Sequence, residues 1–179
     1  MAKPKKWCAH RVLKLPYTRK SRYRKKAFIK AVPASRITRF EVGNLQKTFE
    51  FIAKLKSLDT GQVSHNALES ARQVSNRVLE NTLGKTGYKL KVVTYPHHIV
   101  REHYQAAVAQ ADRMSSGMAH PFGKPVTLAA QLTKPGRTVI EAHVDKAGID
   151  TAKKALKRAA TKMPFSFTIE VVKNPLFKK

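Results

Sequence analysis

Residues 49–84, FEFIAKLKSLDTGQVSHNALESARQVSNRVLENTLG, decide the fold class of this chain. Phe49, Phe51, Ala53 and Leu55 alternate with Glu50, Ile52, Lys54 and Lys56. That period of two predicts a half-buried strand from Phe49 to Ser57. Asp59-Thr60-Gly61 then supplies a turn. After it the period changes. Ala67, Leu68, Ala71, Val74, Val78 and Leu79 recur at spacings of three and four, the apolar stripe of a helix, with Glu69, Arg72, Gln73, Arg77 and Glu80 opposite. Ser64 or Asn66 can cap its start and Gly84 its end, so the helix is expected over 64–83.

The same reading extends outward. Short strands are expected at Ile37–Val42, Tyr88–Tyr95, Val126–Leu132, Thr138–Val144 and Phe165–Val172, with Lys134-Pro135-Gly136 turning the chain between the third and fourth. A second helix begins between Asp145 and Thr151. Ile149, Ala152, Leu156, Ala159 and Met163 form its stripe, Lys153, Lys154, Lys157 and Arg158 stay outside, and Pro164 ends it. Strands outnumber helices without strict alternation. The expected fold is α+β: an antiparallel or mixed β-sheet sandwich with two packed helices. No internal repeat is visible.

Charge is the other strong signal. Thirty-six Lys and Arg stand against eleven Asp and Glu, a formal net charge of +25. Such a chain repels itself unless a polyanion neutralises it. Fourteen of the cations fall in residues 1–40, which hold no carboxylate; the first acid is Glu41. Trp7, Tyr17, Tyr23 and Phe28 lie between them. A solvated tail is the usual meaning of a charge run. Forty acid-free residues with interleaved aromatics point instead to RNA, since cations neutralise phosphates while rings stack on unpaired bases. The chain therefore divides into a basic RNA-binding extension, 1–35, and a folded domain, 36–179.

Other classes lack material. No stretch approaches the roughly 18 apolar residues of a spanning helix, and no basic amphipathic helix carries bulky apolar anchors for a membrane surface. The one cysteine, Cys8, forms no intrachain disulfide or multi-thiolate zinc site and suits a reducing compartment. The Arg-rich N-terminus is broken by Pro4, Pro16 and Pro33, against the long amphipathic helix of a presequence. His97, His98 and His103 invite a metal reading, but neighbours in an extended segment point to opposite faces and no Cys supports them. Gly117 to Lys124 has five residues between its glycines and Pro125 after its Lys, so it is no phosphate-binding loop. No carboxylate pair suits acid–base work. We expect no enzyme, cofactor, metal or small-molecule substrate.

The segment Tyr95-Pro96-His97-His98-Ile-Val-Arg101-Glu102, then Ala111-Asp112-Arg113, Gly117-Met118 and Phe122-Gly123-Lys124-Pro125-Val126, closely resembles the ten-e (QM) family of large-subunit ribosomal proteins. The bacterial counterpart of that family is large-subunit protein sixteen. Pro16-Tyr17-Thr18-Arg19-Lys20, Val32-Pro33, Gly43-Asn44, Ala67-Leu68-Glu69 and Ala155-Leu156-Lys157-Arg158-Ala159 resemble other family segments in order, across about residues 14–164. Two departures are the extra basic residues around Arg22 to Lys30, and a loop, Tyr104–Ala111, that lacks the family's glycines and lysine.

The resemblance implies an α/β sandwich on large-subunit rRNA, in the cytoplasm, near 5S rRNA. Neighbouring ribosomal proteins are the expected protein partners, and a loop of about 103–122 would project toward tRNA at the aminoacyl (A) site. The expected rRNA-binding residues are Lys14, Tyr17, Arg19, Lys20, Arg22, Tyr23, Arg24, Lys25, Lys26, Arg36, His97, His98, Arg101, His103, Arg113 and Lys124; Tyr104, Gln105, Gln110 and Asp112 would lie in the tRNA-proximal loop. A free-standing basic RNA-binding protein or RNA chaperone is the alternative that composition alone leaves open.

Overall fold

The computed structural model of the chain describes residues 11–13, 15, 17–103 and 117–177. The alternation around Ala53 and Leu55 produces strand β2, Phe51–Ser57, in which Ala53, Leu55 and Ser57 are fully buried. Its neighbours are β1 (Glu41–Gly43), β4 (Tyr88–Val92), β7 (Thr138–Val144) and β8 (Phe167–Lys173). They form a five-stranded antiparallel sheet in the order β1-β4-β7-β2-β8.

One face of that sheet is apolar. Register aligns Leu90, Ala142, Ala53 and Val171 across four strands, and Val92, Ile140, Leu55 and Ile169 beside them. Two helices cover it. Helix α1, His65–Leu83, is capped by the Ser64 hydroxyl, which accepts the Ala67 N–H at 3.3 Å. It ends at Gly84, whose φ of 69° is a backbone state that glycine adopts without strain. Helix α2, Ile149–Ala160, follows a 3₁₀ turn at Lys146–Gly148 and buries Ala152, Ala155, Leu156 and Ala159. The helices pack on each other, α1 over β4 and α2 over β2, β7 and β8. The expected α+β fold is present, and every strand pair is antiparallel among the described residues.

Three strands and one core position differ from the sequence reading. β1 covers only Glu41–Gly43, where a strand over Ile37–Val42 is expected. Gly61–Ser64, read as part of a turn and a cap, forms β3. His98–Glu102 forms β5, and both pair with β6 (Lys124–Leu132) in a separate three-stranded sheet, β3-β6-β5. The Lys134-Pro135-Gly136 turn therefore carries the chain from one sheet to the other rather than closing a hairpin. Val74 is only half-buried, and Ser75 takes the core position beside it. Ser75 is tolerated there because its hydroxyl donates to the Ala71 carbonyl at 2.7 Å.

Candidate nucleic-acid interface

The acid-free run is fastened to the three-stranded sheet by contacts that use almost none of its charge. Gln62 on β3 donates to the carbonyls of Val12 and Leu13 (2.6 and 3.3 Å), and Gln131 on β6 donates to Leu13 at 2.7 Å. Ile29 is buried against Ile99 of β5 and Leu128 of β6. Ile37 enters the main core. At Arg36 the backbone N–H donates to Nδ1 of the buried His65, whose Nε2 lies 3.1 Å from the Thr127 hydroxyl. Burial first, and the Arg36 charge second, push the His65 pKa below 6.5. Neutral His65 thus has both nitrogens engaged, one accepting and one donating.

This anchoring leaves the cations outside. Arg19, Lys20, Arg22, Arg24, Lys25, Lys26 and Arg36 are exposed, as is Tyr23. Among the described residues no salt bridge reaches a cation between Arg19 and Arg39. A 3₁₀ turn at Arg24–Lys26 bunches three of them, with Lys26 Nζ 5.4 Å from the centre of the Tyr23 ring. Unpaired, solvated cations on a fixed backbone suit phosphates: little order is lost on binding, and counterions leave the polyanion.

The predicted site residues of β5 and its surroundings do different things. His97 is exposed, with Nδ1 3.2 Å from the Tyr95 carbonyl. His98 is half-buried, its buried Nε2 has no hydrogen-bond partner among the described residues, and burial followed by the neighbouring His97 lowers its pKa. Arg101 is half-buried and donates from Nε to the Gly123 carbonyl and from Nη1 to the Tyr17 carbonyl, both at 3.1 Å. Its role at this place is to join the N-terminal segment to the start of β6. His103 lies 3.1 Å from the His120 carbonyl, across the two ends of the expected projecting loop. Lys124 is exposed at the start of β6. Lys14, Tyr104, Gln105, Gln110, Asp112 and Arg113 lie outside the described residues.

Three features were not singled out from the sequence. His65 was read only as part of a helix start; nothing local signals a partner 29 residues upstream. The exposed face of α2 (Lys153, Lys154, Lys157 and Arg158, continued by Lys162) was seen as an outer face but not as a binding surface. Phe122 meets Tyr17 across the fold, ring centres 4.0 Å apart, and Tyr17 meets Phe28 edge-on at 5.5 Å.

By contrast, the outer face of the five-stranded sheet is self-neutralised. Register places Glu41, Lys91, Glu141, Lys54 and Glu170 in one row across all five strands. Charge excess therefore gathers on the N-terminal segment and on α2, not on this face.

The chain is 43% identical over 149 residues to the large ribosomal subunit protein uL16 of Staphylothermus marinus, covering 83% of this chain and 82% of that one. The protein of the same description from Hyperthermus butylicus is 41% identical, with 88% and 83% covered. That of Archaeoglobus fulgidus is 41% identical, with 91% and 90% covered. The family model for ribosomal protein L16p/L10e matches residues 18–170, and the chain belongs to that family.

Proposed function

We propose that the exposed cations of residues 14–40 dock this protein on large-subunit rRNA, while the loop of about 103–122 faces A-site tRNA near 5S rRNA. The chain is a structural constituent of the large ribosomal subunit in the cytoplasm, with rRNA and neighbouring ribosomal proteins as partners. The observation that carries the docking assignment is the set of exposed cations from Arg19 to Arg39, which enter no salt bridge among the described residues, on an acid-free run held by Gln62, Gln131, Ile29 and His65. In this reading residues 1–35 are an RNA-binding extension of the domain 36–179. Lys14, Tyr17, Arg19, Lys20, Arg22, Tyr23, Arg24, Lys25, Lys26, Arg36, His97, His98, Arg101, His103, Arg113 and Lys124 contribute to the rRNA surface. Tyr104, Gln105, Gln110 and Asp112 belong to the tRNA-facing loop. No residue acts catalytically.

Salt titration of RNA binding tests the docking assignment. About eight neutralised phosphates give a log–log slope of roughly −6 to −7. Replacing Arg19, Lys20, Arg22, Arg24, Lys25 and Lys26 by Ala should flatten it by about 4–5 units. An unchanged slope would move the RNA surface elsewhere. Deleting residues 105–111 tests the loop: incorporation into the subunit should persist while tRNA-dependent elongation steps fail. Loss of incorporation in a folded variant would make the loop a docking element instead.

A further inference from the structure

Two non-glycine residues among those described take the left-handed backbone: Tyr17 (φ 54°) and His120 (φ 56°). They are far apart in sequence and flank one cluster. Left-handed L-residues cost free energy and persist where the surroundings over-determine them, most often at binding sites. Here the surroundings are specific. The Arg101 guanidinium holds the Tyr17 and Gly123 carbonyls together. The Gly123 N–H donates to the His120 carbonyl at 2.8 Å. Gly123 (φ 80°) packs so closely on β5 that a Cβ there would sit 2.6 Å from the Glu102 carbonyl carbon.

What these contacts hold in place is aromatic and exposed. Tyr17 is 40% exposed, Phe28 54% and Phe122 56%. The Phe122 and Tyr17 rings lie 31° from parallel with centres 4.0 Å apart, so Tyr17 packs on one face of Phe122, and Phe122 remains 56% exposed. Rings fixed by backbone clamps and left half-exposed are arranged for a flat ligand. Cations adjoin them in sequence: Arg19 and Lys20 follow Tyr17, and Lys124 follows Phe122. The nearby acid, Glu102, is the β-register partner of Lys124. A flat π face on an anionic chain fits both features.

We propose that the outer face of Phe122, backed by Tyr17 and braced by Phe28, stacks on an unpaired nucleobase of RNA. The proposal rests on the RNA-binding reading above and adds a base-stacking position to its phosphate contacts. Stacking on an aromatic ring tolerates any base, whereas duplex RNA keeps its bases stacked on each other.

The test uses the full chain and a short single-stranded RNA carrying one 2-aminopurine, with the same RNA annealed into a duplex as control. Phe122→Leu keeps apolar bulk but removes the π face. It should weaken single-strand binding about ten-fold, the order of one lost base–aromatic stack. Duplex affinity and the salt slope should stay unchanged, and 2-aminopurine quenching should diminish. Phe122→Trp should restore affinity and quenching, which excludes misfolding as the cause. If Phe122→Leu binds single strands as the parent does, with the salt slope intact, the stacking proposal is overturned and the rings face a protein neighbour instead. If the parent itself shows no salt-dependent RNA binding, the underlying docking reading fails.

Discussion

His65 Nδ1 accepts the backbone N–H of Arg36 at 3.3 Å, tying the basic segment to the first turn of α1 from 29 residues away. The bond needs a neutral imidazole. Burial, aided by the Arg36 charge, lowers the His65 pKa below 6.5. As pH falls below 6.5 the unfolded chain takes up this proton and the folded one resists, so stability decreases. The contribution is whole above pH 6.5 and is lost as pH falls through the depressed value. We expect amide protection factors at residues 29–37, measured against the intrinsic exchange rate at each pH, to fall on acidification as the segment loosens. His65→Leu should remove that pH dependence. It should also cost about 1–3 kcal/mol at neutral pH, by leaving the Arg36 N–H unsatisfied. A segment equally protected at all pH values would rule out His65 as its fastener.

Leu156 and Val74 separate a core position from a rim position. Leu156 is fully buried in α2, whereas Val74 on α1 is half-buried. Leu156→Ala should destabilise by about 2–5 kcal/mol in urea titration. Val74→Ala should cost about 1 kcal/mol or less, because only part of its side chain leaves water on folding. Equal losses would contradict the burial assigned to the two faces.

That contrast shows where a one-dimensional reading succeeds. Helix α1 was legible because its stripe, the Ser64 cap and the Gly84 terminator agree. Spacing alone could not tell that Ser75, with a hydroxyl satisfied by the carbonyl four residues back, would displace Val74 from the core. Strands β3 and β5 were missed for a related reason. β3 is four residues long, and its Gln62 is buried to hold a carbonyl 50 residues away. β5 follows Tyr95-Pro96, and its register shifts at Val100/Arg101, which breaks alternation. The candidate site divides the same way. Cations concentrated in one stretch were visible, but Phe122 acquires its place through Tyr17, more than a hundred positions earlier, and no local pattern carries that contact.

The basic face of α2 is expected to be a second RNA-contacting surface. Lys154, Lys157, Arg158 and Lys162 are exposed and, among the described residues, enter no salt bridge. Lys154 and Arg158 lie one turn apart on α2, and Lys162 follows just past its C-terminal end. Replacing all four by Ala should flatten the salt slope of RNA binding by about 1–2 units, the share of the eight phosphates not taken by Arg19 to Lys26. The melting temperature should hold, since the apolar face of α2 is untouched. A slope indistinguishable from the parent would confine RNA to the N-terminal side.

The row Glu41-Lys91-Glu141-Lys54-Glu170 is expected to behave oppositely: to matter for stability and not for RNA. Lys91 Nζ lies 3.1 Å from Glu41, and register puts Lys91 and Lys54 on either side of Glu141. His143, 3.8 Å away, together with Lys54 and Lys91, holds the Glu141 carboxyl below 4.5 against the opposing effect of burial. Its contribution is therefore present above pH 4.5 and lost as pH falls through the lowered value. Cross-strand pairs of this kind contribute about 0.2–1 kcal/mol each, and like charges directly opposite destabilise. Glu141→Lys would set three lysines abreast and should cost about 1–3 kcal/mol, a penalty that shrinks in high salt. Lys54→Gln with Lys91→Gln should lower stability modestly yet leave the salt slope of RNA binding where it was, because Lys91 pairs with Glu41 and Lys54 sits in register between Glu141 and Glu170. If that double variant flattened the slope by about 2 units, the sheet face would be an RNA contact, and the division of this chain into a neutral sheet and two basic flanks would be wrong.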